Sequence, residues 1–285
     1  MKRRNFIITE KLKKHILLSL TDNPILSIKD VSLISGFSVK HTQELFFKQN
    51  KITIGKYIKK VLLSRAALLL VLTKKRILDI AFETGFSSQQ SFNRAFKKNF
   101  SLPPMQYRKR GVIDCNKIIT SAHSENNFVY EGEIYLTPIK IRALHLRFRE
   151  NVLGCGSTKV KNERLRNITK ALSKDNLVMI ISSIKVTESK MNDIYIDSCF
   201  CYPSSLGKEI KTPSGLYHKI KFIGSFDNYI NTGRYILSYI NIPFALEVIE
   251  EFIKKQENDI EINIYLPNIH FKKKNIINKN KLKSA

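Results

Sequence analysis

Apolar positions in the first hundred residues recur at helical spacing, and the pattern is written twice. "ILSIKDVSLISGFSVKHTQELFFKQN" (25–50) and "KRILDIAFETGFSSQQSFNRAFKKNF" (75–100) each run through a short periodic segment, then Gly-Phe-Ser, then a second amphipathic segment. At an offset of 49 residues Ile28 matches Ile77, Asp30 matches Asp79 and Val31 matches Ile80. Gly36 then matches Gly85, Ser38 matches Ser87, Phe47 matches Phe96 and Lys48 matches Lys97. The pattern predicts two pairs of helices, each pair joined by a tight turn in which glycine supplies a positive φ. Ser27 with Asp30, and Ser87 with Gln90, have the spacing of capping boxes. Between the copies, "IGKYIKKVLLSRAALLLVLTKKR" (54–76) is apolar enough for one long buried helix, and "LPP" (102–104) ends the last helix.

The period changes after the polar stretch 108–126. "FVYEGEIYL" (128–136), "LVMIISSIKV" (177–186), "IYIDSCFCY" (194–202), "GLYHKIKFIG" (215–224) and "IEINIYL" (260–266) read as strands bounded by turn residues. "DNYINTGRYILSYI" (227–240) and "LEVIEEFIKKQ" (246–256) have helical periodicity. The expected architecture is two domains. An all-α domain over 1–111 carries two helix-turn-helix units joined by a long helix, and a linker spans 112–126. An α+β domain with an antiparallel sheet covers 127–270, followed by a basic tail, 271–285.

Charge separates the same segments. Of 285 residues, 1–111 hold 23 basic and 6 acidic side chains, a net of +17; 112–270 hold 20 and 18, a net of +2; 271–285 hold six lysines and no acid. A front of this kind suits a polyanion, because neutralised phosphates release condensed counterions. The apolar run "VLLSRAALLLVL" (61–72) is too short to span a bilayer and carries Arg65, and no secretory signal opens the chain. The expectation is a cytoplasmic protein with no membrane partner. The four cysteines show no CxxC pair and no metal-ligand spacing to a histidine. Cys199 and Cys201 would share one strand face as small apolar groups. No phosphate loop or catalytic signature occurs, so the chain reads as a non-enzyme without cofactor or metal.

The second amphipathic copy carries the most specific chemistry. At about 100° per residue Phe92 and Phe96 fall on one side, while Gln89, Gln90, Asn93, Arg94 and Lys97 fall within about 140° on the other. Glutamine or asparagine bonds adenine bidentately in a major groove, arginine bonds guanine, and lysine meets phosphate. A solvated polar face is the plainer reading of the same residues. In the first copy Lys40, Gln43, Glu44 and Lys48 share one arc; Glu44 could accept from cytosine N4, and it also repels phosphate.

"RILDIAFETGFSSQQSFNRAFKKNFSLPPMQYRK" (76–109) resembles the second helix-turn-helix and closing signature of the AraC/XylS transcriptional regulators, and is closest to the subgroup containing MarA, SoxS and Rob. The order of halves resembles the Rob type, a DNA-binding domain followed by a GyrI-like domain. The resemblance implies a monomeric activator that binds double-stranded DNA at two groove-facing segments, contacts RNA polymerase and governs a stress and drug-resistance regulon. Its base-reading positions fall on Gln89, Gln90, Asn93 and Arg94, and in the first motif on Lys40, Gln43 and Glu44, where the subgroup has Trp, Gln and Arg. The C-terminal half resembles a small-molecule-binding module of two βαββ-type halves. "DIEINIYLP" (259–267) resembles its closing strand, with Asn263 at the position of a ligand-facing Glu and Glu261 on the same strand face. A small-molecule effector is thus implied there. The alternative function is a weakly specific DNA binder whose GyrI-like half sequesters small molecules or docks a protein.

Overall fold

The computed structural model describes the chain except residues 1, 23–24, 115–116, 120–127, 153–157, 187–191, 204, 227, 230–246, 256–259 and 269–285. It divides near residue 124 into two compact units. The expected helix at 227–240 and the basic tail lie almost wholly outside the described residues, as do Cys115 and Cys155.

The first unit is helical: α1 (Lys2–Asp22), α2 (Ile28–Ser35), α3 (Val39–Asn50), α4 (Ile54–Leu72), α5 (Ile77–Glu83), α6 (Gln89–Phe100) and α7 (Pro104–Arg110). Helix α1 lays Leu12, Ile16 and Leu20, one turn apart and fully buried, against Val31 of α2, Phe46 of α3 and Ile54, Tyr57 and Val61 of α4. The capping box at Ser27 is present: its hydroxyl accepts from Asp30 N at 3.2 Å, and Ser27 N donates to Asp30 Oδ2 at 2.8 Å. The Ser27 hydroxyl also donates to Asp30 Oδ2 at 2.7 Å, and that bond first, then the one from Ser27 N, holds the Asp30 carboxyl below its usual range. Helix α4 covers 19 residues, 12 of them buried, and stops at Leu72 rather than at 76. The pair Pro103–Pro104 closes one helix and opens another, since proline suits the first helical turn. Helix α7 buries Tyr107 and sends Arg108 back to donate to Leu70 O at 3.0 Å, tying it to the end of α4.

The second unit is one eight-stranded antiparallel sheet with strands β1 (Phe128–Leu136), β2 (Lys140–Asn151), β3 (Leu177–Val186), β4 (Asp193–Cys201), β5 (Lys208–Lys211), β6 (Gly215–Gly224), β7 (Val248–Lys254) and β8 (Ile260–Pro267). Their order is β1-β6-β8-β7-β3-β4-β2-β5. The order is internally symmetric: β2–β4–β3 and β6–β8–β7 are equivalent trios that meet where β3 pairs with β7. Helix α8 (Thr158–Leu172) joins β2 to β3 and packs on β2, β3 and β7. Under it lies a core of Phe148, Val178, Phe200, Phe222, Phe252 and Ile262.

The helical expectation for 246–256 is corrected to strand. Val248, Glu250 and Phe252 face the α8 side, and Ile249, Glu251 and Ile253 the other, so the segment is apolar on both faces and its period of two is hidden. Strands β2 and β5 and helix α8 are additions to the sequence reading. Cys199 and Cys201 do share a face, packed with Ala143, Ile181 and Tyr217. Burial pushes the Cys201 thiol up to about 12, with Cys199 adding to it, so it stays an inert thiol at neutral pH.

Candidate nucleic-acid interface

The two helix pairs are alike but not in the register that sequence alignment gives. The turn glycines Gly36 and Gly85 both have positive φ, 70° and 76°, and differ by 49 positions. The helices that follow differ by 50. Ser38 caps α3 by accepting from His41 N, and Ser88, not Ser87, caps α6 by accepting from Ser91 N at 3.2 Å. Phe46 and Phe96 are both fully buried, and Lys51 and Ser101 both close their helices in the left-handed region. Ser87 is therefore an extra residue in the second turn. The earlier matches Phe47 to Phe96 and Lys48 to Lys97 are corrected: Lys97 has Phe47 as its counterpart, Gln90 has Lys40, Asn93 has Gln43 and Arg94 has Glu44.

Helix α6 is held from beneath by a column of aromatic rings. Phe92, Phe96 and Phe100 are buried at successive turns, with centroids 5.5 and 4.6 Å apart, and Tyr107 of α7 meets Phe96 edge-on at 5.2 Å. This wedge fixes which side faces out. Gln90, Arg94, Lys97 and Lys98 are exposed, and Gln89 is half-buried. Among the described residues, the Gln89, Gln90 and Arg94 side chains make no hydrogen bond or ion pair, so their donors and acceptors stay open to a ligand. Asn93 differs: it is half-buried, and its Oδ1 is turned inward with no partner. Leu78 and Phe82 of α5 join Ser87, Ser88, Gln89, Gln90 and Asn93 around a shallow groove beside the helix start.

Helix α3 presents Lys40, Gln43, Glu44, Phe47 and Lys48, all exposed, above buried Thr42, Leu45 and Phe46. It shows one carboxylate where α6 has a guanidinium. Phe47 is 51% exposed, although the 49-residue offset matches it to the buried Phe96.

The carboxylate expected to face an effector is engaged otherwise. Glu261 of β8 takes Lys221 Nζ at 2.8 Å on one oxygen and Lys255 Nζ at 3.0 Å on the other, and these bonds hold its pKa below the usual carboxylate range. Asn263 stands on the same sheet face and donates to Glu251 Oε2 at 3.4 Å, while its own Oδ1 is buried without a partner. Tyr265 donates to the same Glu251 oxygen at 2.6 Å, and burial first, then that bond, raises the phenol's pKa. Glu251 was missed because it lay in the segment read as helix. Among the described residues no group of His, Cys, Asp and Glu could hold a metal, and no helix is long and apolar enough to cross a membrane.

The paired helices, their glycine turns and the outward amide-and-guanidinium face define a helix-turn-helix protein, and residues 31–110 match the Helix-turn-helix domain family. The F1 operon positive regulatory protein of Yersinia pestis is 27% identical over 257 residues, 86% of this chain and 83% of that one. Transcriptional regulator Rob of Salmonella typhimurium is 46% identical over 88 residues, 31% of this chain and 30% of Rob. The Tn10 TetD protein of Escherichia coli is 41% identical over 98 residues, 34% of this chain and 71% of TetD. The chain belongs to the AraC/XylS family of transcriptional regulators. Its match spans half the length of YkgA of Escherichia coli, a further relative, and less than a third of Rob.

Proposed function

We propose that this chain is a sequence-specific activator of transcription that binds double-stranded DNA as a monomer, with α2–α3 and α5–α6 as two helix-turn-helix units. The carrying observation is α6: an exposed, unengaged row of Gln90, Arg94 and Lys97 over a rigid phenylalanine column. A helix pre-positioned by packing needs no backbone ordering on entering a groove, and the +17 front supplies phosphate attraction. In this reading Gln89, Gln90 and Arg94 read base edges, Lys97 meets phosphate, and Asn93 turns its amide outward to join them. Lys40, Gln43 and Glu44 of α3 form the first head. Helix α4, about 28 Å long at 1.5 Å per residue, sets the separation of the heads. RNA polymerase is the protein partner, and a stress-resistance regulon the output. The domains are 1–111, a linker at 112–126, a GyrI-like unit at 127–270 and a tail at 271–285.

Arg94→Ala is expected to weaken binding to a selected site by about 1–3 kcal/mol and to relax selectivity at one base pair. Titration at fixed salt against all four bases at each position checks this; unchanged affinity and selectivity would show that α6 does not read bases. Selection from random duplexes separates this function from weakly specific binding, for which no motif is enriched.

One observation favours ligand control as well. The symmetric strand trios suit the two βαββ halves of a GyrI-like unit, and Glu251, Asn263 and Tyr265 gather on one sheet face, beside the Glu261–lysine pairs, with one amide oxygen unanswered. A carboxylate among aromatic rings suits an amphiphilic cation. The expected result is saturable heat on titrating dodecyltrimethylammonium below its micellar concentration, lost in Glu251→Gln; equal heats in both proteins exclude this site. Glu261, neutralised by its two lysines, supports the strand beside Asn263 rather than meeting the ligand.

A further inference from the structure

The corrected register gives the first reading head a chemistry of its own. Phe47 takes the place in α3 that Lys97 takes in α6. It is not a displaced core residue, because Phe46 beside it is fully buried and fills the core position held by Phe96 in the other pair. At about 100° per residue Phe47 falls within about 60° of Lys40, Gln43 and Glu44, in the middle of the outward face. It is the ninth residue of its helix, one turn beyond Gln43. A phenyl ring there, 51% exposed, cannot grip a phosphate as Lys97 can. Glu44 in turn cannot bond guanine O6 and N7, as Arg94 can. The apolar feature of a major-groove floor is the thymine C5-methyl group.

We infer that α3 reads thymine by its methyl group, with Phe47 as the contacting residue. This rests on the DNA-reading function proposed above and adds the kind of base the first head selects. Gln43, one turn away on the same face, bonds adenine, so the two side chains together prefer A·T pairs. Lys40 and Lys48 flank them, both exposed, and offset the repulsion of Glu44 by meeting the phosphates on either side. The two heads then have unlike targets: an A·T-selective half-site under α3, and one containing a guanine under α6.

Replacing thymine by deoxyuridine, one position at a time, removes the methyl and keeps the base pairing. The test uses the full chain on the site recovered by selection. In the unaltered protein one or two thymines of the α3 half-site should each lose about fourfold in affinity, the effect of uncovering one methyl. In Phe47→Ala those positions should become indifferent to the change, while the deoxyuridine scan of the α6 half-site stays as before. Phe47→Lys, which copies Lys97 at an exposed position, should keep the helix content, lose the methyl sensitivity and steepen the logarithmic salt dependence by about one. A selected site with no methyl-sensitive thymine, or equal sensitivity with and without Phe47, overturns the inference and leaves base reading by α6 intact. Unchanged DNA titrations together with weaker transcription in Phe47→Ala also overturn it, assigning Phe47 to a protein contact. If no sequence is enriched at all, base reading fails and the inference with it.

Discussion

Glu250→Ala is expected to destabilise the sheet unit by about 3–5 kcal/mol, the usual cost of leaving a buried charge without its counter-ion. Glu250 is 6% exposed on β7, beneath α8. One carboxylate oxygen accepts from Arg164 Nη2 of α8 and the other from the Tyr229 hydroxyl. Burial acts to lower the Arg164 pKa and the Glu250 charge outweighs it, so the guanidinium stays charged; Tyr229 is raised by burial and then by the same carboxylate, so it stays a neutral donor. Without Glu250 the guanidinium would lose the carboxylate it is bonded to, keeping only the field of Glu150, and its Nε already has no partner. Hydrogen exchange resolved by segment checks the result: faster exchange in β3, β7 and β8, with α2 to α6 unchanged. Arg164→Met combined with Glu250→Leu should recover most of the loss, because the repaired site contains no charge. Failure of that pair to recover any stability would mean that the triad matters for its packing rather than its charge.

Phe96→Ala should cost the helical unit about 3–5 kcal/mol, the range for deleting a fully buried phenyl ring. The ring touches Phe92, Phe100 and Tyr107, so its loss leaves a cavity where α6 rests on α7. The consequence for function is larger than for fold alone, because the rings hold Gln90 and Arg94 outward. Specific DNA binding should be lost together with thermal stability. Arg94→Ala, by contrast, should lower affinity and leave the melting temperature in place. Intact binding by a destabilised Phe96→Ala would detach the aromatic column from the reading face.

How much of this was legible beforehand depended on the type of signal. The two helix pairs were plain, since apolar spacing, turn glycines and the Ser27 cap all agreed. Strands β1, β3, β4, β6 and β8 were legible because their β-branched and aromatic runs end in turn residues. Strand β7 was not: Val248, Ile249, Phe252 and Ile253 fit a helical stripe as well as a doubly buried strand, and nothing local marks Glu250 as buried. Its carboxylate is buried because Arg164 and Tyr229, 86 and 21 residues away, satisfy it. Helix α7 was hidden by prolines that act at once as a stop and a start. For the same reason of distance the pairing of Glu261 was not legible, since Lys221 is 40 positions from the acid it meets.

The sequence by itself determined that two basic helix pairs precede a sheet-forming half, and that one outward face carries amides and a guanidinium. Those are local matters of spacing, turn chemistry and charge. Only the tertiary structure decided which residues occupy equivalent places in the two pairs. An extra residue in one turn shifts the numbering of equivalent positions in the next helix by one, about 100° of its face, and an apolar stripe of that width accepts either register. Burial of Phe46 and Phe96 in their cores selects between them.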